Sequence, residues 1–284
     1  MKSVWAALAL ILAATPLLAS ADSGAEHRTK GESLLASGDI DEAIQEFRAA
    51  VKLEPKISRD HFELGAALKR RGQLDDAISE YREAIRLEPG LAEAHANIGT
   101  ILQSQGDYTQ AIAEYRQAIR LQPKLAVAHA NLGSALRVTR KLDEAIFELR
   151  EAVRLDPDLA EAHRDLGFCL ALKRDMDGAI SELREAVRLD PDLTEAHLGL
   201  GNALQAKGKV DAAVTEYREG VRLSPRDAAA HADLASALFM KGEKTEAQKE
   251  LNEAVRLDPS LARRVPPRTQ QPAPPAAPPV GPGQ

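Results

Sequence analysis

Apolar residues recur through most of the chain at spacings of three and four residues, in blocks that come in pairs. Within residues 92–125 the two blocks consist of Ala94, Ile98, Ile101 and Leu102, followed by Tyr108, Ile112, Tyr115 and Ile119. This spacing places the apolar side chains on one face of an α-helix. Because a polar break separates the two blocks, the pattern predicts two amphipathic helices that pack against each other.

The paired blocks repeat with a fixed period, which proline marks most clearly. The prolines that lie 34 residues apart are Pro55, Pro89, Pro123, Pro157, Pro191, Pro225 and Pro259. A constant period of this length is typical of stacked supersecondary units. Aligned on the prolines, residues 22–261 contain seven units, 24–57, 58–91, 92–125, 126–159, 160–193, 194–227 and 228–261. The proline ends the second helix of each unit, because its ring does not permit the helix to continue.

Turn residues and polar residues indicate where the helices end and begin. Glycine lies in the polar break of five units, at Gly38, Gly72, Gly106, Gly208 and Gly242. A helix C-terminus favours a residue that tolerates positive φ, so these glycines fit that place. Just before the second apolar block lie Asp41, Asp75, Thr109, Asp143, Asp177, Asp211 and Thr245. We predict that these seven side chains cap the second helices by accepting hydrogen bonds from free N–H groups.

Small residues recur in both helices of each unit. The first helices contain Gly31, Gly65, Gly99, Gly133, Gly167 and Gly201, with Ala235 in the seventh unit. The second helices contain Ala43, Ala77, Ala111, Ala145, Ala179, Ala213 and Ala247. Glycine inside a helix costs about 1 kcal/mol relative to alanine, so a packing reason is expected. We predict that small residues on both helices allow a close approach, which makes each unit an antiparallel pair.

Several features recur together at the 34-residue period: a Leu-Gly or Ile-Gly pair in units two to six, the alanines, a Tyr, Phe or Leu in the second helix, and the proline. In this combination residues 24–261 resemble tetratricopeptide repeat (TPR) proteins, and they are similar to the arrays of exported bacterial repeat proteins. The sequences AHANIG and AHANLG also resemble the repeat region of O-linked N-acetylglucosamine transferases, but no room remains for a glycosyltransferase domain. The resemblance implies an all-α fold, a right-handed TPR solenoid of antiparallel helix pairs.

The resemblance also implies a function. In TPR proteins the first helices line a concave groove, and their variable positions contact an extended peptide. Carried onto this chain, the groove residues are Arg59, Phe62, Lys69, Arg70, Asn97, Thr100, Gln103, Asn131, Ser134, Arg137, Arg164, Phe168, Asn202 and Gln205. Asn97 and Asn131 occupy the same place in consecutive units, where an amide both donates to and accepts from a peptide backbone. We therefore expect a non-catalytic protein-interaction scaffold that binds a protein or peptide.

Histidine occupies the fourth place of every unit, where the family often has a bulky aromatic residue. These positions are His27, His61, His95, His129, His163, His197 and His231. A metal-binding or proton-relay stripe is one interpretation of this column. However, zinc ligands must lie within roughly 4 Å of each other, whereas equivalent residues on stacked helices are about 8–10 Å apart. We expect the imidazoles to pack against the paired helix, with no metal and no cofactor.

Charge, cysteine content and motifs narrow the function classes further. The formal charge is −6 with both signs mixed along the chain, whereas a nucleic-acid-binding protein concentrates its basic residues on one surface. The single cysteine, Cys169, excludes an intrachain disulfide, and its apolar neighbours predict that it is buried. The chain contains no Gly-rich phosphate loop, HExxH or G-x-S-x-G element. We therefore expect neither nucleic-acid binding nor catalysis.

The two ends of the chain differ from the repeats. Residues 1–21 have the basic start, the short apolar run and the small residues Ala19 and Ala21 that are typical of a signal peptide. The sequence thus predicts an exported protein, periplasmic or secreted, without a membrane span in the mature chain; an uncleaved anchor is the alternative. Residues 262–284 are rich in proline and predict a disordered tail, which is either a docking segment or a plain spacer.

Two alternatives from other function classes remain open. The first is a cell-envelope assembly or secretion factor that acts as an oligomer, which light scattering would detect. The second is an accessory subunit of a glycosyltransferase or polysaccharide system, with which a partner enzyme would copurify.

Overall fold

The computed structural model describes residues 23–264, and this part of the chain is helical throughout, without a strand. Its helices are α1 Gly24–Ser37, α2 Ile40–Leu53, α3 Ser58–Arg71, α4 Leu74–Leu87, α5 Ala92–Ser104, α6 Tyr108–Leu121, α7 Ala126–Val138, α8 Leu142–Leu155, α9 Ala160–Leu172, α10 Met176–Leu189, α11 Thr194–Ala206, α12 Val210–Leu223, α13 Ala228–Lys241 and α14 Lys244–Leu257. A 3-10 helix, Pro259–Arg264, follows α14. None of these helices is long and apolar enough to cross a membrane. The predicted signal peptide, 1–21, lies outside the described residues. Of the predicted tail, 262–284, the first three residues belong to the 3-10 helix, and the rest lies outside the described residues.

The described residues form two compact units, which divide between Asn131 and Leu132 and which we call the N-terminal unit and the C-terminal unit. In the N-terminal unit α1 packs on α2, α3 on α4 and α5 on α6. In the C-terminal unit α9 packs on α10, α11 on α12 and α13 on α14. Each pair coincides with one predicted repeat, so the prediction of an all-α array of helix pairs is confirmed.

The glycines of the first helices lie where the second helices present their largest side chains. A Cβ added at Gly99 would lie 2.7 Å from Cε1 of Tyr115, and one added at Gly133 would lie 2.5 Å from Cγ of Leu149. Both Tyr115 and Leu149 are buried. The glycines therefore mark the helix contact as predicted, but for a different reason. They make room for a bulky side chain of the second helix rather than for its alanine.

The second helices begin earlier than the sequence predicted, so the assignment of the seven capping residues is wrong. Helix α2 begins at Ile40, which places Asp41 inside the first turn. The N-cap residues are Asp39, Gln73, Asp107, Lys141, Asp175, Lys209 and Glu243. Among them, Asp107 and Asp175 each accept a backbone N–H at 3.0 Å. Asp41 instead accepts a hydrogen bond from Nε of Arg71, at 2.5 Å, and an acidic side chain in the first turn also suits the helix dipole.

The five predicted break glycines have positive φ, between 72° and 93°. Arg140 and Arg174 adopt the same left-handed conformation, with φ of 63° and 68°, in the two repeats that lack the glycine. A residue with a Cβ loses about 1–2 kcal/mol in this conformation. The repeat geometry therefore imposes a strained backbone on both arginines.

The repeated histidine joins two helices and the preceding repeat. In α9, Nδ1 of His163 lies 2.7 Å from Oε2 of Glu182 on α10, and Nε2 lies 3.1 Å from the backbone oxygen of Pro157. His61, His197 and His231 make the same two contacts, with a glutamate of the paired helix and with the proline carbonyl of the preceding repeat. The predicted packing role is confirmed, and the bond to the proline carbonyl is a further link that the sequence did not indicate.

We predict that His163 makes the protein more stable at acid pH than at alkaline pH. A carboxylate and a carbonyl oxygen both accept, so the doubly protonated ring donates to both at once. The bond to Glu182 raises the pKa of His163, against the opposing effect of burial, and the Pro157 carbonyl adds to the rise. Because the folded pKa exceeds the unfolded value of about 6.5, the stabilisation is complete below that pH and is lost as pH rises through the folded pKa.

The check is urea unfolding of the parent and His163→Gln between about pH 5 and about pH 9. The variant should lose most stability at the acid end, and its stability should depend less on pH. An equal loss at every pH would contradict the doubly protonated ring.

Candidate functional site

The fourteen predicted groove residues all lie on first helices, namely α3, α5, α7, α9 and α11. Each of them is exposed or half-buried, so none serves as a core residue. Those from Arg59 to Asn131 belong to the N-terminal unit, and those from Ser134 to Gln205 belong to the C-terminal unit. The structure therefore places them in two clusters.

In the N-terminal unit, Lys69 and Asn97 are joined across neighbouring repeats. Nζ of Lys69 donates to Oδ1 of Asn97 at 2.5 Å, over a sequence separation of 28. Burial lowers the pKa of Lys69. Since the lysine occupies one lone pair of the amide oxygen, the two N–H donors of Asn97 are left for another partner. The role of Lys69 in orienting Asn97 was not apparent from the sequence.

Other predicted residues of this cluster are engaged with the preceding repeat or the paired helix. Nη2 of Arg59 donates to Oε1 of Glu32 at 2.8 Å. Nη1 of Arg70 donates to a backbone oxygen of α1 at 3.2 Å. The ring of Phe62 packs on that of Tyr81, with the centroids 5.5 Å apart. The two arginines consequently contribute to the stacking of repeats, whereas Phe62 contributes to the packing within its own repeat.

Buried tyrosines of the second helices hold several of the predicted amides. In α6, the hydroxyl of Tyr115 donates to Oε1 of Gln103 at 3.1 Å. In α12, the hydroxyl of Tyr217 lies 2.7 Å from Oδ1 of Asn202 and 2.9 Å from Oε1 of Gln205. Tyr217 has one proton to donate, so it favours one of these two oxygens at a time. Tyrosines in the core thereby restrict the conformations of surface amides on the first helices.

In the C-terminal unit, Arg137 lies at the edge of an apolar cavity. Its guanidinium carbon is 5.5 Å from the centroid of the Phe168 ring, within the range of a cation–π contact. Its Nη2 is 3.4 Å from Oδ1 of Asp165, which is buried, and Nε of Arg164 is 3.2 Å from the same oxygen. The cavity beside these residues has a volume of 560 Å³ and lies between α7, α9 and α11.

Metal and thiol chemistry have little support in the described part of the chain. Residues 23–264 contain no group of three or more His, Cys, Asp or Glu side chains arranged to hold a metal ion. Cys169 is fully buried, as predicted, and burial raises the pKa of its thiol to about 12. A thiol with such a pKa is a poor nucleophile at neutral pH.

Comparison with known proteins places the chain among TPR proteins. The family model described as the Cilia and flagella-associated protein 70 C-terminal domain, a TPR model, matches residues 13–264. No curated protein matches the chain.

Three solved structures illustrate the similarity of fold. The crystal structure of the APC/C hetero-tetramer Cut9–Hcn1 has a TM-score of 0.68 and 21% identity; the match covers 81% of this chain but 45% of the other, so this chain spans less than half of that protein. PilF of Pseudomonas aeruginosa has a TM-score of 0.65 and 21% identity, over 71% of this chain and 92% of its own. YrrB, described as a TPR protein with an unusual peptide-binding site, has a TM-score of 0.54 and 23% identity, over 65% of this chain and 98% of its own. At these identities the similarity establishes the fold alone.

Proposed function

The chain belongs to the TPR family represented by the Cilia and flagella-associated protein 70 C-terminal domain, and from that premise we propose that it is a non-catalytic scaffold which binds an extended peptide segment of a partner protein along its first helices. TPR solenoids are in general protein-interaction scaffolds. Support for peptide binding also comes from YrrB, a similar structure that is described as having a peptide-binding site.

The observation that carries this proposal is the bond between Lys69 and Asn97. A lysine ammonium loses hydration when it is half-buried, and here it is directed at an amide oxygen. The bond fixes the orientation of the Asn97 amide and leaves its N–H donors for a ligand. An orientation set before binding reduces the entropy lost when a peptide binds.

The position of Asn131 extends this arrangement by one repeat. Asn131 occupies the place in α7 that Asn97 occupies in α5, and both side chains are half-buried. Helix packing separates equivalent positions by about 8–10 Å, and an extended chain advances about 3.3 Å per residue. The two amides are therefore spaced to bind backbone groups about three residues apart.

We predict that the double substitution Asn97→Ala and Asn131→Ala weakens peptide binding without unfolding the protein. Ligands would first be selected on the parent from a phage-displayed library of random peptides and then synthesised. Loss of two backbone contacts should weaken their binding by about 1–3 kcal/mol. The melting temperature should fall only slightly, because neither amide is a core residue and the half-buried ammonium of Lys69 can bind water in place of Asn97.

Glu83→Ala is the matched control, because Glu83 lies on α4, a second helix, rather than on a first helix. Its carboxylate pairs with Arg86 of the same helix at 2.6 Å. Calorimetric titration of parent, double variant and control gives the comparison. Full binding by the double variant, together with lost binding by the control, would place the ligand on the second helices and overturn the proposal.

One observation favours self-association as the second candidate function. Phe147 on α8 is 69% exposed. The same place in the other six repeats holds Gln45, Ser79, Ala113, Ser181, Thr215 and Lys249. A lone exposed aromatic residue in this column fits an assembly role, which was the alternative drawn from the sequence. Export, proposed from residues 1–21, is compatible with either function.

A further inference from the structure

Building on the proposed peptide-binding function, we propose that the cavity of the C-terminal unit binds a large apolar side chain of the partner, and that Arg137 and Arg140 bind a carboxylate next to it. The ligand class is then a peptide with an apolar residue close to an aspartate or glutamate.

The size and lining of the cavity fit an apolar side chain. Its volume of 560 Å³ lies within the range of about 300–1,000 Å³ that is usual for ligand sites. The larger apolar side chains lining it are those of Val138, Phe168, Leu172 and Met176. Val138 and Leu172 are 43% and 46% exposed, which is high for aliphatic residues. Covering them with an apolar group would be favourable, because it removes apolar surface from water.

Gly199 allows the Phe168 ring to lie against α11, where it lines this cavity. The same place in the other six repeats holds the polar residues Thr29, Glu63, Asn97, Asn131, Asp165 and Asp233. A Cβ at Gly199 would overlap Cε1 of Phe168, because the ring lies against the backbone of α11. Any side chain at this position would push the ring away from α11. The glycine thus departs from the repeat pattern at a position where the Phe168 ring packs against the helix backbone.

The charge around the cavity is positive. Of the described residues that line it, the charged ones are Arg137 and Arg140. Asp165 is shared between Arg137, at 3.4 Å, and Arg164, at 3.2 Å, so one carboxylate faces two guanidinium groups. The Nε–H of Arg137 is buried and has no hydrogen-bond partner among the described residues. The Arg137 side chain is nevertheless 27% exposed, and Nη2 is the atom that lies near Asp165, so the exposed part of the guanidinium retains donors for a ligand. A carboxylate is the acceptor that fits a guanidinium best.

Arg140 offers a way to remove charge without harming the fold. It has φ of 63°, in a place where five other repeats have glycine. Arg140→Gly should relieve backbone strain while it removes a positive charge from the cavity edge. Arg174→Gly makes the same backbone change one repeat later, at a residue that does not line the cavity.

The experiment uses the full chain and a phage-displayed library of random 12-residue peptides, selected on the parent protein. Enriched peptides should carry a large apolar residue within about three positions of Asp or Glu, a span matching one repeat.

Their synthetic forms should bind Arg140→Gly about tenfold more weakly, as for a lost charged hydrogen bond. Ala206→Trp, which fills the cavity from an exposed lining position, should weaken binding at least as much. Arg174→Gly and Ala113→Trp, an exposed alanine on α6, should bind like the parent.

The outcomes separate this inference from the proposed function. If selected peptides bind Arg140→Gly and Ala206→Trp as tightly as the parent, the cavity is not their anchor, although groove binding stands. If they carry basic or no charged residues beside the apolar one, the carboxylate assignment is wrong. If selection enriches no peptide at all, the inference and the proposed function fail together.

Discussion

Replacing Arg28 with methionine is expected to lower the stability of the first two repeats by about 3–5 kcal/mol, the usual cost of leaving a buried charge without its partner. Asp60 on α3 is fully buried, and Arg28 on α1 is its partner. Nε of Arg28 donates to Oδ1 of Asp60, and Nη2 donates to Oδ2 at 3.1 Å. The hydrogen bond to Asp60 also raises the pKa of Arg28. In Arg28→Met the carboxylate would remain buried with no cation beside it.

Asp60→Ala is the matched control and should be tolerated far better. The same place in five other repeats holds a buried alanine, at Ala94, Ala128, Ala162, Ala196 and Ala230. Arg28 would keep Glu54 nearby, at 3.7 Å, and partial access to water. The double variant Arg28→Met with Asp60→Ala should therefore recover most of the lost stability, because it leaves no buried charge.

Hydrogen exchange of the α1 and α3 amides is the suitable measurement, because terminal repeats can open without global unfolding. Equal losses in Arg28→Met and Asp60→Ala, or no recovery in the double variant, would show that the charge of Asp60 is not the cause.

Deleting the same hydroxyl from two equivalent tyrosines is expected to change stability in opposite directions. The hydroxyl of Tyr81 is buried without a hydrogen-bond partner among the described residues, whereas that of Tyr115 donates to Gln103. In the repeat of Tyr81, the place of Gln103 is held by Lys69, which has no acceptor. Tyr81→Phe should raise the free energy of unfolding by about 1–2 kcal/mol, since it removes an unsatisfied polar group. Tyr115→Phe should lower it by about 1 kcal/mol.

Urea unfolding of the two variants measures this difference. Both rings stay in place, so packing against Gly65 and Gly99 is retained, and the hydroxyl is the single change. A similar loss of stability in both variants would mean that Tyr81 has a partner in solution, and the predicted difference in sign would be wrong.

The sequence by itself determined the elements and their order. The apolar spacing and the 34-residue period gave seven helix pairs at the positions found, and the glycines of the breaks have the expected positive φ. These features depend on residues that are close together in the chain, because the geometry of a helix sets the direction of each side chain from its position in the sequence. The candidate groove residues came instead from the resemblance to TPR proteins, and all of them lie on first helices. The local pattern failed for the helix caps, because the second helix starts as soon as the left-handed turn ends.

Only the tertiary structure decided which side chains meet across repeats. Lys69 with Asn97 and Arg28 with Asp60 are 28 and 32 residues apart, and the Phe168 ring lies against Gly199 of the next first helix. Each pairing follows from the packing of neighbouring repeats and from the rotamers that close packing permits. A repeat period states which positions are equivalent, but it does not state which of several polar side chains reaches its neighbour. For that reason the sequence predicted a single set of groove residues. The packed helices show that one of them, Asn97, is bonded to Lys69, whereas others line an open cavity whose charged residues are Arg137 and Arg140.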